Sequence, residues 1–121
     1  MSQLKVLIVD DEEDFASTLS ERLRLRDYDA RAVFHARDAL TIIKSSSYEV
    51  VLLDVDMPGM NSIDVLKAIK ETVPTIQVIM LTGGGNIRNM EEALQIGACD
   101  YQMKPIEIEE LIISINNAGK K

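Results

Sequence analysis

Cysteine occurs once, at Cys99, so no disulfide forms within the chain. A lone thiol suits a reducing compartment, where it serves as a small, buried apolar side chain. No apolar run comes near the ~18 residues of a membrane-spanning helix. Met1-Ser2-Gln3 leads straight into Leu4-Lys5-Val6-Leu7-Ile8-Val9 without the layout of a signal peptide. A cytoplasmic location with no membrane partner is expected. Basic clusters are equally scarce: against a net charge of −7, only Arg22, Arg24 and Arg26 gather. A nucleic-acid surface needs clustered Lys and Arg, so these three read as a solvated helix face and no direct nucleic-acid contact is expected. The one histidine, His35, has no acidic or cysteine partner near it in sequence and reads as a surface or loop-packing residue. Repeats, low-complexity tracts and linkers are also missing. What is present, 46% hydrophobic and 27% charged residues in a length of 121, describes one folded core, expected as a single domain over 1–121.

Apolar clusters recur at Val6–Val9, Ala30–Phe34, Val50–Leu53, Val78–Leu81 and Cys99–Met103, each followed by a helix-period segment. This is a βα alternation repeated five times. The helical stripes are Phe15, Leu19 and Leu23; Ala39 and Ile43; Val65, Leu66 and Ile69; Ile87, Met90 and Leu94; and Ile108, Leu111, Ile112 and Ile115. Asn61 is the expected N-cap of the third helix, and Gly97 the stop of the fourth. Segments one, three and four are continuously apolar, as strands buried on both faces are, whereas the second and fifth are mixed and suit edges. The order 2-1-3-4-5 satisfies both facts: a flavodoxin-like, doubly wound (βα)5 sandwich on a five-stranded parallel sheet. Ligands of such sheets bind beyond the carboxyl ends of the strands, at the switch point between strands 1 and 3.

Asp10 and Asp11 follow strand 1, Asp54 strand 3, Thr82 strand 4 and Lys104 strand 5, so all five converge on that crevice. Three crowded carboxylates raise one another's pKa or recruit a cation, and an oxygen-only cluster suits Mg²⁺. A carboxylate nucleophile facing a phosphoryl group needs a cation, a fixed ammonium and hydrogen-bond donors, which Mg²⁺, Lys104, the Thr82 hydroxyl and the Gly83 N–H supply.

Val9-Asp10-Asp11-Glu12, Leu53-Asp54-Val55-Asp56-Met57-Pro58-Gly59-Met60, Leu81-Thr82-Gly83 and Asp100-Tyr101-Gln102-Met103-Lys104-Pro105 resemble the four signatures of response-regulator receiver domains, over essentially the whole chain and in the same order. The resemblance implies a bacterial two-component switch that takes a phosphoryl group on Asp54 from a sensor histidine kinase or phosphotransfer protein. It implies Mg²⁺, with Mn²⁺ as a substitute, on Asp11, Asp54 and the backbone carbonyl of Asp56, with Asp10 ordering a metal-bound water. Thr82, Lys104 and the Gly83 N–H are then assigned to the phosphoryl oxygens, Lys104-Pro105 to a cis peptide bond, and Tyr101 to a ring that turns inward on phosphorylation. The output face is helix 4, strand 5 and helix 5, serving a downstream effector, in a monomer or a phosphorylation-linked dimer.

Two features depart from the family pattern. Asn61-Ser62 replaces the usual Asp-Gly. Asp56 brings a carboxylate that either repels the water attacking the acyl phosphate, acts as its general base, or simply points to solvent. The pair Asp54-Val55-Asp56 also matches haloacid-dehalogenase-type phosphatases, although Asp10-Asp11 precedes that strand and the chain looks short for a substrate cap. A phosphorylation-independent interaction module is the third reading. The run Gly83-Gly84-Gly85 is not followed by Gly-Lys-Ser/Thr, so it reads as flexibility, not as a nucleotide loop. Tyr101 has an alternative as plain core, and the methionines Met57, Met60, Met80, Met90 and Met103 as core filler, with Met90 and Met103 near the output surface. The last residues, Gly119-Lys120-Lys121, suit either a stand-alone domain or one followed by an effector.

Overall fold

The computed structural model describes residues 4–83 and 87–120, with backbone alone for 87–89. Five strands alternate with five helices: β1 (Lys5–Val9), α1 (Glu13–Arg24), β2 (Asp29–Val33), α2 (Ala36–Ser45), β3 (Val50–Asp54), α3 (Ser62–Thr72), β4 (Gln77–Thr82), α4 (Ile87–Ile96), β5 (Asp100–Met103) and α5 (Ile108–Gly119). All neighbouring strands are parallel, in the order β2-β1-β3-β4-β5. Each β-to-β connection carries a helix because parallel neighbours cannot be joined by a tight turn.

Strand alternation divides the core in two. Leu7, Val9, Val51, Leu53, Val78 and Met80 face α2, α3 and α4. Val6, Ile8, Val50, Leu52, Ile79 and Leu81 face α1 and α5. The three inner strands are thus apolar on both sides because both sides are covered. With full burial of each such side chain contributing roughly 1.5–3 kcal/mol, these layers outweigh any single polar contact in holding the sheet.

Local chemistry sets the helix ends. The Asn61 side chain accepts the backbone N–H groups of Ile63 and Asp64 at 2.9 and 3.3 Å, capping α3. Gly97, at φ +138°, ends α4 in a conformation that L side chains rarely adopt. Arg24 is exposed but directed: its Nε donates to the Ala30 carbonyl at 2.9 Å, tying α1 to β2. The basic stretch is therefore a solvated face with one inward anchor. Among the described residues, no helix is long and apolar enough to cross a membrane.

Three readings of apolar residues need correction. In α4 the buried pair is Met90 and Ala93, while Leu94 lies off that stripe and is 41% exposed. In β5 the polar residues face inward: Asp100 aligns with Ile79 on the α5 side, where Ser114 Oγ donates to its Oδ2 at 2.5 Å. Alternation then turns Tyr101 and Met103 the other way, 36% and 51% exposed, so Tyr101 is not core and Met103 is not filler. Cys99 is only half-buried, packed against the α1/α5 core.

Candidate functional site

The carboxyl ends of β1, β3, β4 and β5 bring the five sequence-selected residues to one edge of the sheet. Asp10 follows β1, Asp54 closes β3, Thr82 closes β4 and Lys104 follows β5. Asp10, Asp54 and Thr82 are buried, whereas Asp11 is exposed. Lys104 is the hub: its Nζ donates to Asp10 Oδ2 at 2.8 Å and to both Asp54 Oδ1 and Glu12 Oε1 at 3.3 Å. The same ammonium lies 4.5 Å from the centre of the Phe15 ring, a cation–π seat on the first turns of α1.

These charges alter one another's protonation. Burial raises the pKa of Asp54, and Asp10 adds to the rise, against the Asp56 N–H and Lys104, which favour the ionised form. Burial alone would lower that of Lys104. The bond to Asp10, the charges of Asp54 and Asp10, and the bond to Glu12 reverse this and raise it above the usual lysine value. Lys104 is therefore a fixed cation across the neutral range, and not an acid or base.

Backbone geometry orients the rest. Asp10 Oδ1 accepts the Glu12 N–H at 2.9 Å, which fixes the carboxylate as the chain leaves β1. Asp54 Oδ1 accepts the Asp56 N–H at 3.1 Å. The Lys104 N–H donates to the Thr82 carbonyl at 2.7 Å, and the Lys104–Pro105 peptide bond is cis. Asp10, Asp11 and Asp54 each offer a carboxylate oxygen within 4.8 Å of the others. This donor set, oxygen only and multiply anionic, fits a hard divalent cation such as Mg²⁺.

Sequence reasoning missed two participants, Glu12 and Phe15, and one contact of a third, Asp56. Glu12 was visible only as the neighbour of the Asp pair, and Phe15 only as part of a core stripe. Asp56 is exposed, but it does not simply point to solvent: its Oδ2 accepts the Gly83 N–H at 3.2 Å. Gly84 and Gly85, the remainder of the glycine run, lie outside the described residues.

The comparisons with known proteins agree with this fold. The family model "Response regulator receiver domain" matches residues 6–116. The chain is 36% identical over 118 residues to the transcriptional regulatory protein YkoG of Bacillus subtilis, covering 98% of this chain and 52% of that protein. To the regulatory protein LuxO of Vibrio cholerae it is 34% identical over 114 residues, 94% of this chain and 25% of that one. The crystal structure of the receiver domain of NtrX from Brucella abortus superposes with a TM-score of 0.90 at 30% identity, covering 96% of this chain and 98% of that one. A doubly wound sheet with an acidic switch point is the class of fold, and within it the chain belongs to the response-regulator receiver family of two-component signalling. It spans between a quarter and about half the length of these curated relatives.

Proposed function

We propose that the 121 residues form one receiver domain, a cytoplasmic switch that takes a phosphoryl group from a phosphohistidine of a sensor histidine kinase or phosphotransfer protein. A carboxylate oxygen of Asp54 attacks phosphorus, the phosphorus–nitrogen bond breaks, and the imidazole leaves with the electron pair and is protonated. The observation that carries this reading is the buried Asp54 carboxylate, held by Lys104 at 3.3 Å and within 4.8 Å of Asp10 and Asp11 oxygens. Asp11, Asp54 and the Asp56 carbonyl would hold Mg²⁺ (or Mn²⁺), with Asp10 ordering a water. Bound there, the ion neutralises charge on the phosphoryl oxygens. Lys104 faces the same oxygens as a permanent cation, and Thr82 and the Gly83 N–H are the donors at the end of β4.

The readout follows from packing. Among the described residues, four of the five large exposed apolar side chains, Leu94, Tyr101, Met103 and Ile113, belong to α4, β5 and α5. Thr82 moving toward the phosphoryl group leaves room for Tyr101 to turn inward, which changes the face offered to an effector. The role is signalling rather than turnover of a substrate. Incubation with Mg²⁺ and acetyl phosphate tests it: a transient adduct of ~80 Da appears on the wild-type chain and not on Asp54→Ala. Continuous acetyl phosphate turnover without an adduct would favour a phosphatase, and no reaction at all a bare interaction module.

A further inference from the structure

The donor assigned to the phosphoryl group is already engaged. The Gly83 N–H points at Asp56 Oδ2, 3.2 Å away, while the Asp56 N–H is bonded to Asp54 Oδ1 at 3.1 Å. Asp56 therefore touches the acceptor with its backbone and the donor at the end of β4 with its side chain. A β-carbon added at Gly83 would rest 3.5 Å from the same Asp56 oxygen, so the carboxylate sits directly over that backbone position.

We propose that the Asp56 carboxylate is a built-in competitor for the phosphoryl group, holding the Gly83 N–H in the unphosphorylated chain and yielding it when Asp54 is phosphorylated. The inference rests on the reading of Asp54 as acceptor and adds a regulatory element to that site. A backbone amide has one hydrogen and serves one anion well. A phosphoryl group brings up to two negative charges, which repel a carboxylate competing for the same donor. Phosphorylation must therefore displace Asp56 before Gly83 can bind, and the displacement subtracts from the stability of the phosphorylated state. Because Asp56 is exposed, its bond is weakened by water and the competition is modest. The contact acts as a threshold on activation and does not block it.

Beryllofluoride, a non-covalent mimic of the phosphoryl group, tests this in the presence of Mg²⁺, with amide NMR of the whole chain as the readout. Asp56→Ala is expected to respond at a roughly three- to ten-fold lower concentration than the wild type. Asp56→Asn, whose amide oxygen keeps the bond to Gly83 without the charge, falls between the two. Before any addition, the Gly83 amide proton shifts upfield and exchanges faster in Asp56→Ala and stays near its wild-type position in Asp56→Asn. Equal gains in both variants would mean that charge alone acts and would overturn the competition, as would an Ala variant indistinguishable from the wild type. If the wild type itself does not respond to beryllofluoride, the acceptor reading fails and the competition with it.

Discussion

Lys104 and Asp54 face each other across 3.3 Å, and burial disfavours the charged form of both. The lysine gains more from Asp10, Asp54 and Glu12 than burial takes away, whereas the aspartate remains raised despite Lys104. A carboxylate whose folded-state pKa exceeds its unfolded value opposes folding when ionised. That opposition is fully present above the folded pKa and vanishes as pH falls below the unfolded value, ~3.9. Asp54→Asn is accordingly expected to melt higher than the wild type at pH 7, with the difference shrinking toward pH 4; thermal unfolding at a series of pH values measures it. An unchanged gap at low pH would mean that the gain comes from packing. The five crevice residues were legible in sequence because each stands at the end of an apolar run. Phe15 and Glu12 were not: their roles depend on where Nζ of Lys104, about ninety residues away, comes to rest, and no local spacing encodes that.

At the scale of elements, legibility followed burial. β1, β3 and β4 are covered on both faces and announced themselves as continuous apolar runs, and the mixed β2 and β5 are the edges. The facing of β5 did not follow, because hydrophobicity would turn Tyr101 and Met103 inward. The deciding contact is polar: Ser114 on α5, itself buried, satisfies Asp100. That bond ties an edge strand of four residues to the last helix. Ser114→Ala leaves the Asp100 carboxylate without this donor and is expected to cost about 1.5–3 kcal/mol, read as a lower urea midpoint at unchanged slope. Asp100→Asn in the same background should return part of the loss, since its neutral amide is cheaper to leave unpaired; no recovery would point instead to a packing defect. Leu94 shows the same limit from the other side. Its spacing from Met90 suits a core position, but the small Ala93 takes the buried place and leaves Leu94 on the surface.

For the whole molecule, the proposed switch requires a phosphoryl group at one edge of the sheet to be felt at the face of α4, β5 and α5. Moving such an equilibrium from mostly off to mostly on takes about 5.5 kcal/mol of differential stabilisation, more than one hydrogen bond supplies. On the proposed reading, the charge on Asp54, the Lys104 cation, the Thr82 hydroxyl and the Gly83 N–H act together, with Asp56 opposing. The proposed switch turns on one carboxylate, that of Asp54. Trapping the acyl phosphate with borohydride, which reduces a phosphorylated aspartate to homoserine with release of phosphate, followed by peptide mass spectrometry, identifies that carboxylate. After treatment with acetyl phosphate and Mg²⁺, homoserine is expected at position 54 and absent without Mg²⁺; homoserine at 10, 11 or 56, or at no position, would rule out Asp54 as the acceptor.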